Sequence, residues 1–155
     1  MDYYYSLKLI HILSSTILFG TGIGTAFFML QAYRSKNIDA ITVVSKYVIL
    51  ADYIFTTPAL IIQPLTGYLL MLKLGHSFSE QWLKWAFVFY ILIGVCWLPV
   101  VWLQIKLHKM ALHAKNTNTE LPRKFHDYFQ SWFILGWPAF IMVILIFYLM
   151  VFKSF

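Results

Sequence analysis

Residues 46–72 read KYVILADYIFTTPALIIQPLTGYLLML. The stretch is long enough to cross a bilayer, at 1.5 Å per helical residue against ~30 Å of hydrocarbon. Yet it carries Asp52, Thr56, Gln63 and Gly67, at intervals of four, seven and four, with Pro58 and Pro64 between them. Those intervals follow the helical period and put the four on one face. Lipid cannot solvate such a face: an ionisable group within a span costs ~2.5–3.5 kcal/mol on insertion scales. The stripe must therefore face protein, a ligand or water. Each proline also removes a backbone donor and frees a carbonyl four residues back, at Ile54 and Leu60. A kinked span is tolerated only where other groups re-satisfy those carbonyls, and Thr56, Thr57 and Thr66 are the nearest hydroxyls.

The rest of the chain supplies cover for that stripe. Of 155 residues, 61% are hydrophobic and 12% charged, about half the charge of an ordinary soluble domain. Four apolar runs are long enough to span: about 9–30, 46–72, 85–105 and 131–151. With short loops they fill the chain as one integral membrane domain, and the fold expected is an all-α transmembrane four-helix bundle with kinked helices. The first run is about twice a signal-peptide core, with no small-residue cleavage site after it, and reads as a retained span. Asp39 is the expected N-cap of the second helix, which starts on the membrane surface and then dives in; Pro122 suits the first turn of the last helix, and Trp137-Pro138 should break it.

The net charge of +6 does not point to nucleic acid, because the basic residues lie in loops. Eight flank the first and third connections (Arg34, Lys36, Lys46, Lys106, Lys109, Lys115, Arg123, Lys124) against four on the other side (Lys8, Lys73, Lys84, Lys153). The positive-inside rule then places both termini on the non-cytoplasmic side, with His11, His76 and Lys84 in the outer half and Asp52, Gln104 and His108 in the inner half. Cys96, alone in the sequence, excludes an internal disulfide and reads as a small hydrophobe. No nucleotide-binding loop, nucleophile–base pair or strong metal motif is present.

Four features carry candidate chemistry or binding. His11 lies about two turns into the first span; a neutral imidazole there can ligate haem iron, with His76 or Lys84 as partner, or simply hydrogen-bond a neighbouring helix. Asp52 is the carboxylate deepest in a span, with Tyr53, Thr56 and Gln104 as expected neighbours and Lys106 or His108 in reach; it reads as a proton relay, a ligand anchor or a structural ion pair. Tyr90, Gly94, Trp97, Val101, Gln104 and His108 form a second partly polar face on the third span. Gly20 and Gly24, with Gly22 between, form a small-residue face suited to helix packing, to a homodimer, or to leaving room for a flat apolar ligand such as a porphyrin.

Leu9-Ile10-His11-Ile12-Leu13, Phe19-Gly20-Thr21-Gly22-Ile23-Gly24, Ala51-Asp52, Pro58-Ala59, Thr66-Gly67 and Trp97-Leu98-Pro99 together resemble a bacterial family of predicted integral membrane proteins of unknown function. That family is similar to a wider group that includes the copper-resistance CopD-like proteins and HemJ-type protoporphyrinogen oxidases. The resemblance implies a helical bundle in the bacterial inner membrane and, on the HemJ pattern, haem b held by a first-helix histidine and a lysine near the start of the third helix. His11 and Lys84 are the positions that would match. Three functions follow as expectations: a haem b-binding redox protein, a carrier of an ion or small molecule built on Asp52, Tyr53, Thr56, Gln63 and Gln104, or an accessory subunit whose polar groups only pack helices.

Overall fold

The computed structural model describes residues 3–153 and is all-helical. Helix α1 spans Tyr3–Arg34. Helix α2, Ile38–Ala51, continues through a π-helical turn, Asp52–Thr56, into α3, Thr57–Lys73. Helix α4 spans Gln81–Thr117 and α5 spans Arg123–Phe152. Four stretches are long and apolar enough to cross a membrane: Tyr3–Arg34, Ile38–Lys73, Gln81–Thr117 and Arg123–Phe152. Each contains one expected span and overruns it. Hydropathy marks only the hydrocarbon slab, whereas a helical hydrogen-bond ladder continues until something stops it.

The stops are local. Asn37, not Asp39, caps α2: its Oδ1 accepts from the Ala40 N–H at 3.1 Å. Asp39 instead pairs with Lys115 at 2.8 Å, tying the start of α2 to the end of α4. Asn118 ends α4 in the left-handed conformation that Asn tolerates. Pro122 sits at the N-cap of α5, one residue before its first turn. Pro138 does not break α5, which runs on to Phe152.

Pro58 acts differently. Its ring would clash with the Ile54 carbonyl in an α-helix. The helix widens just before it, and the Thr57 N–H reaches the Asp52 carbonyl, five residues back. The Thr57 hydroxyl donates to the same carbonyl at 2.8 Å. Such single π turns add one residue to a helix and re-aim the side chains around them. The deep acid of the chain lies in this one.

Helix α1 packs on α2, the π turn and α3; α4 packs on α5 and α2; α1 touches α5. Among the described residues α3 and α4 make no close backbone approach. The two ends of the bundle are packed unequally. At the end that carries the α1–α2 and α4–α5 connections, Met29, Ile41, Leu107, Ala111 and Phe125 are essentially inaccessible. At the other end, Trp82, Ala86 and Leu149 form a smaller cluster. The outer surface is a belt of exposed apolar side chains, among them Leu65, Leu98, Ile134 and Val151, which suits acyl chains and would be a liability in water.

Candidate functional site

The site grows from the face read on residues 52–67. Asp52 and Thr56 are buried, and Gln63 and Gly67 are partly so. They turn toward α1 and the middle of the bundle, and they form two polar groups rather than one.

The first group surrounds His11. Gly67 brings α3 so close to α1 that a Cβ there would stand 3.1 Å from His11 Cε1. The imidazole lies between Thr66 Oγ1, 2.9 Å from Nδ1, and Gln63 Nε2, 3.2 Å from Nε2. The Gln63 amide donates to Nε2, so the ring proton is on Nδ1 and is donated to Thr66. The Thr66 hydroxyl passes its own proton to the Ile62 carbonyl at 2.8 Å. The Ser14 hydroxyl donates to Gln63 Oε1. Every polar group in this set has a partner, which is what a low-dielectric interior requires.

The second group surrounds Asp52. Thr56 Oγ1 donates to Asp52 Oδ1 at 2.7 Å, and the Gln104 side chain of α4 lies beside the same carboxyl. Neither basic residue expected near Asp52 reaches it. His108 Nδ1 is 2.9 Å from Ser45 Oγ, and Lys106 lies over the Trp102 ring. Tyr53 is 62% exposed on the outward face, apart from this group, because adjacent helical residues point about 100° apart. The carbonyl of Leu60, freed by Pro64, accepts from the Tyr90 hydroxyl. Tyr90 thus bridges α3 and α4 across the gap between them, in the role expected of the threonines.

That gap is a cavity of about 420 Å³. All four spans line it. Asp52, Thr56, Leu60 and Gln63 come from the second; Ser15, Phe19 and Gly22 from the first; Tyr90, Trp97 and Gln104 from α4; Trp132, Gly136, Trp137, Phe140 and Phe147 from α5. Its walls are overwhelmingly apolar and aromatic. Gly22 and Gly136 help to make the space: a Cβ at either would meet nothing within 4 Å. Two buried polar atoms in the wall have no hydrogen-bond partner, Gln104 Oε1 and Trp132 Nε1. Leaving such a group unpaired costs roughly 1–3 kcal/mol.

Sequence reasoning placed Asp52, Thr56, Gln63 and Gln104 together, and the cavity unites them. It missed the α5 wall. The signal was present: Trp132, Gly136, Phe140, Val143 and Phe147 recur at helical spacing, with a glycine among bulky residues.

A haem does not fit these donors. Both ring nitrogens of His11 are engaged, and the histidine does not line the cavity. Lys84 is exposed at the start of α4. His76, the other expected partner, is bound to Glu80 at 2.9 Å. Among the described residues no group of three or more His, Cys, Asp or Glu side chains is placed to hold a metal ion.

Glu80 belongs to a third cluster, in the α3–α4 connection. It accepts from the Ser77 N–H at 3.1 Å, from Trp82 Nε1 at 2.8 Å and from His76. The Ser77 hydrogen bond, then those of Trp82 and His76, hold its carboxyl below the usual carboxylate range. Lys153 Nζ stands 3.4 Å from His76 Nε2, closing the cluster against the end of α5.

No curated protein and no solved structure matches this chain, so any kinship to CopD-like or HemJ-type proteins rests on short motifs alone. A family model does match, over residues 5–154. With four apolar helices long enough to span and a polar seam turned away from the lipid-facing surface, the chain belongs to the family described as "Predicted integral membrane protein (DUF2269)".

Proposed function

We propose that this multi-pass membrane protein takes a small apolar molecule into the interior of its bundle, with Asp52 as the polar anchor. The observation that carries the reading is the cavity of about 420 Å³ with a buried acid in its wall. Apolar, largely pre-formed hollows with a few convergent polar groups are the usual form of small-molecule sites. Intramembrane acids are retained at a cost that function, rather than packing, most often explains. The bacterial inner membrane is the proposed location, with the basic α1–α2 and α4–α5 connections on the cytoplasmic side.

The reading is tested with diphenylhexatriene, a slender apolar fluorophore, added to protein in lipid nanodiscs. Trp97, Trp132 and Trp137 line the cavity and serve as energy-transfer donors. Saturable transfer is expected in the native chain. It should weaken in Asp52→Leu and vanish in Gly136→Leu, whose side chain fills open space. Transfer that rises linearly with probe, and equally in all three proteins, would overturn the reading.

A further inference from the structure

The cavity runs along the bundle. Along α4 it is lined from Tyr90 to Gln104, and along α5 from Trp132 to Phe147, roughly 20 Å at the helical rise. A lining of that length suits a chain-like occupant. The two unpaired atoms lie toward the same end. Gln104 is the last lining residue of α4 and Trp132 the first of α5, and the two helices run antiparallel through the 118–122 connection.

Gln104 Oε1 needs a donor and Trp132 Nε1–H needs an acceptor. A hydroxyl is the smallest head group that supplies both. An ammonium has no acceptor for the indole. A carboxylate has no donor for the amide oxygen, and it would meet the Asp52 carboxyl. A bare hydrocarbon leaves both atoms unpaired. We infer that the occupant is a long-chain alcohol, its hydroxyl donating to Gln104 and accepting from Trp132, its chain lying among Trp97, Trp137 and Phe140. This deepens the proposed function and rests on it.

The test compares three probes of equal chain length carrying a terminal bromine, which quenches tryptophan: an alkanol, an alkane and an alkanoate. Each is titrated into the full chain in nanodiscs. The alkanol should bind at least about tenfold more tightly than the other two, as expected for two hydrogen bonds at a desolvated site. Gln104→Leu and Trp132→Phe, each checked for helical content, should each erase that preference while saturable binding of the alkane remains. Equal binding of alkanol and alkane by the native chain would overturn the alcohol assignment and leave the cavity reading standing. Absence of saturable quenching by any probe would overturn both. A branched isoprenoid alcohol run beside the straight alkanol separates the two natural sources of such a chain.

Discussion

The end of the bundle near the α1–α2 connection and its middle are built from similar residues and packed in opposite ways. At the end, Tyr33 stacks on Phe129 with ring centroids 3.8 Å apart, and Phe125, Ile41 and Leu107 leave almost no accessible surface. In the middle, Phe140 and Phe19 stack at 5.4 Å, but they do so beside a void that Gly22 and Gly136 keep open. Helices in lipid gain little from burying apolar surface, since acyl chains are as apolar as leucine; close packing and hydrogen bonds hold them. A hollow in such a protein forfeits the contacts that would otherwise stabilise it. On the proposed function, the tightly packed end supplies stability and the middle leaves room for an occupant.

The largest expected effect tests that division. Phe125→Ala should lower stability by about 3–5 kcal/mol, the range for a buried aromatic with no room to relax. Phe140→Ala, already beside empty space, should lose about 1–2 kcal/mol, mainly its ring pair and one face of contacts. Unfolding in mixed micelles measures both. Equal losses would erase the contrast between end and middle.

A pair of glycines sharpens it further. Gly22→Ala adds a methyl to open space and should be neutral or stabilise by up to about 1 kcal/mol through helix propensity. Gly67→Ala must press on His11, which is held from both sides by Thr66 and Gln63, so a shift of a few tenths of an ångström strains those hydrogen bonds. A net loss of about 1 kcal/mol is expected there, of the size of one hydrogen bond. A gain at both positions would mean that the His11 group is not held in place.

Much of this was legible in the sequence. Asp52, Thr56, Gln63 and Gly67 lie on the face that their spacing required, because lipid rejects polar groups wherever they occur. The freed Leu60 carbonyl was also foreseeable from Pro64. Its partner was not: Tyr90 comes from another helix, and a single chain's periodicity carries no information about which helix lies opposite. The π turn is a similar case. Pro58 announced a defect, but whether a helix kinks or widens depends on packing around it. Tyr53 was misgrouped by proximity in sequence, although one residue along a helix is a change of face. For His11 the sequence leaves both a haem ligand and a hydrogen bond to a neighbouring helix open, because its two partners, 52 and 55 residues away, are brought to it only by the close approach at Gly67.

The smallest expected effect is at the opposite end, in the α3–α4 connection. The Glu80 carboxyl is held below its ordinary range, so its ordering of the connection is fully present above that range. It is lost as pH falls through the lowered folded-state value. The protection of the Ser77 amide against exchange, relative to its intrinsic rate at each pH, should fall on acidification below the ordinary carboxylate range and be low at all pH values in Glu80→Ala, since the Ser77 N–H bonds to Glu80. Protection retained in acid would show that the turn, rather than the carboxylate, orders this segment.

The central claim is that the middle of the bundle is an occupied or occupiable hollow rather than an imperfectly packed core. A diazirine-bearing alkane photolysed in nanodiscs, with the labelled residues mapped by peptide mass spectrometry, tests it most directly. Labels are expected on Trp97 and Phe140 that disappear in Gly136→Leu, beside outward labels on Leu98 and Ile134 that do not. Labelling confined to Leu98, Ile134 and other lipid-facing residues in both proteins would contradict it.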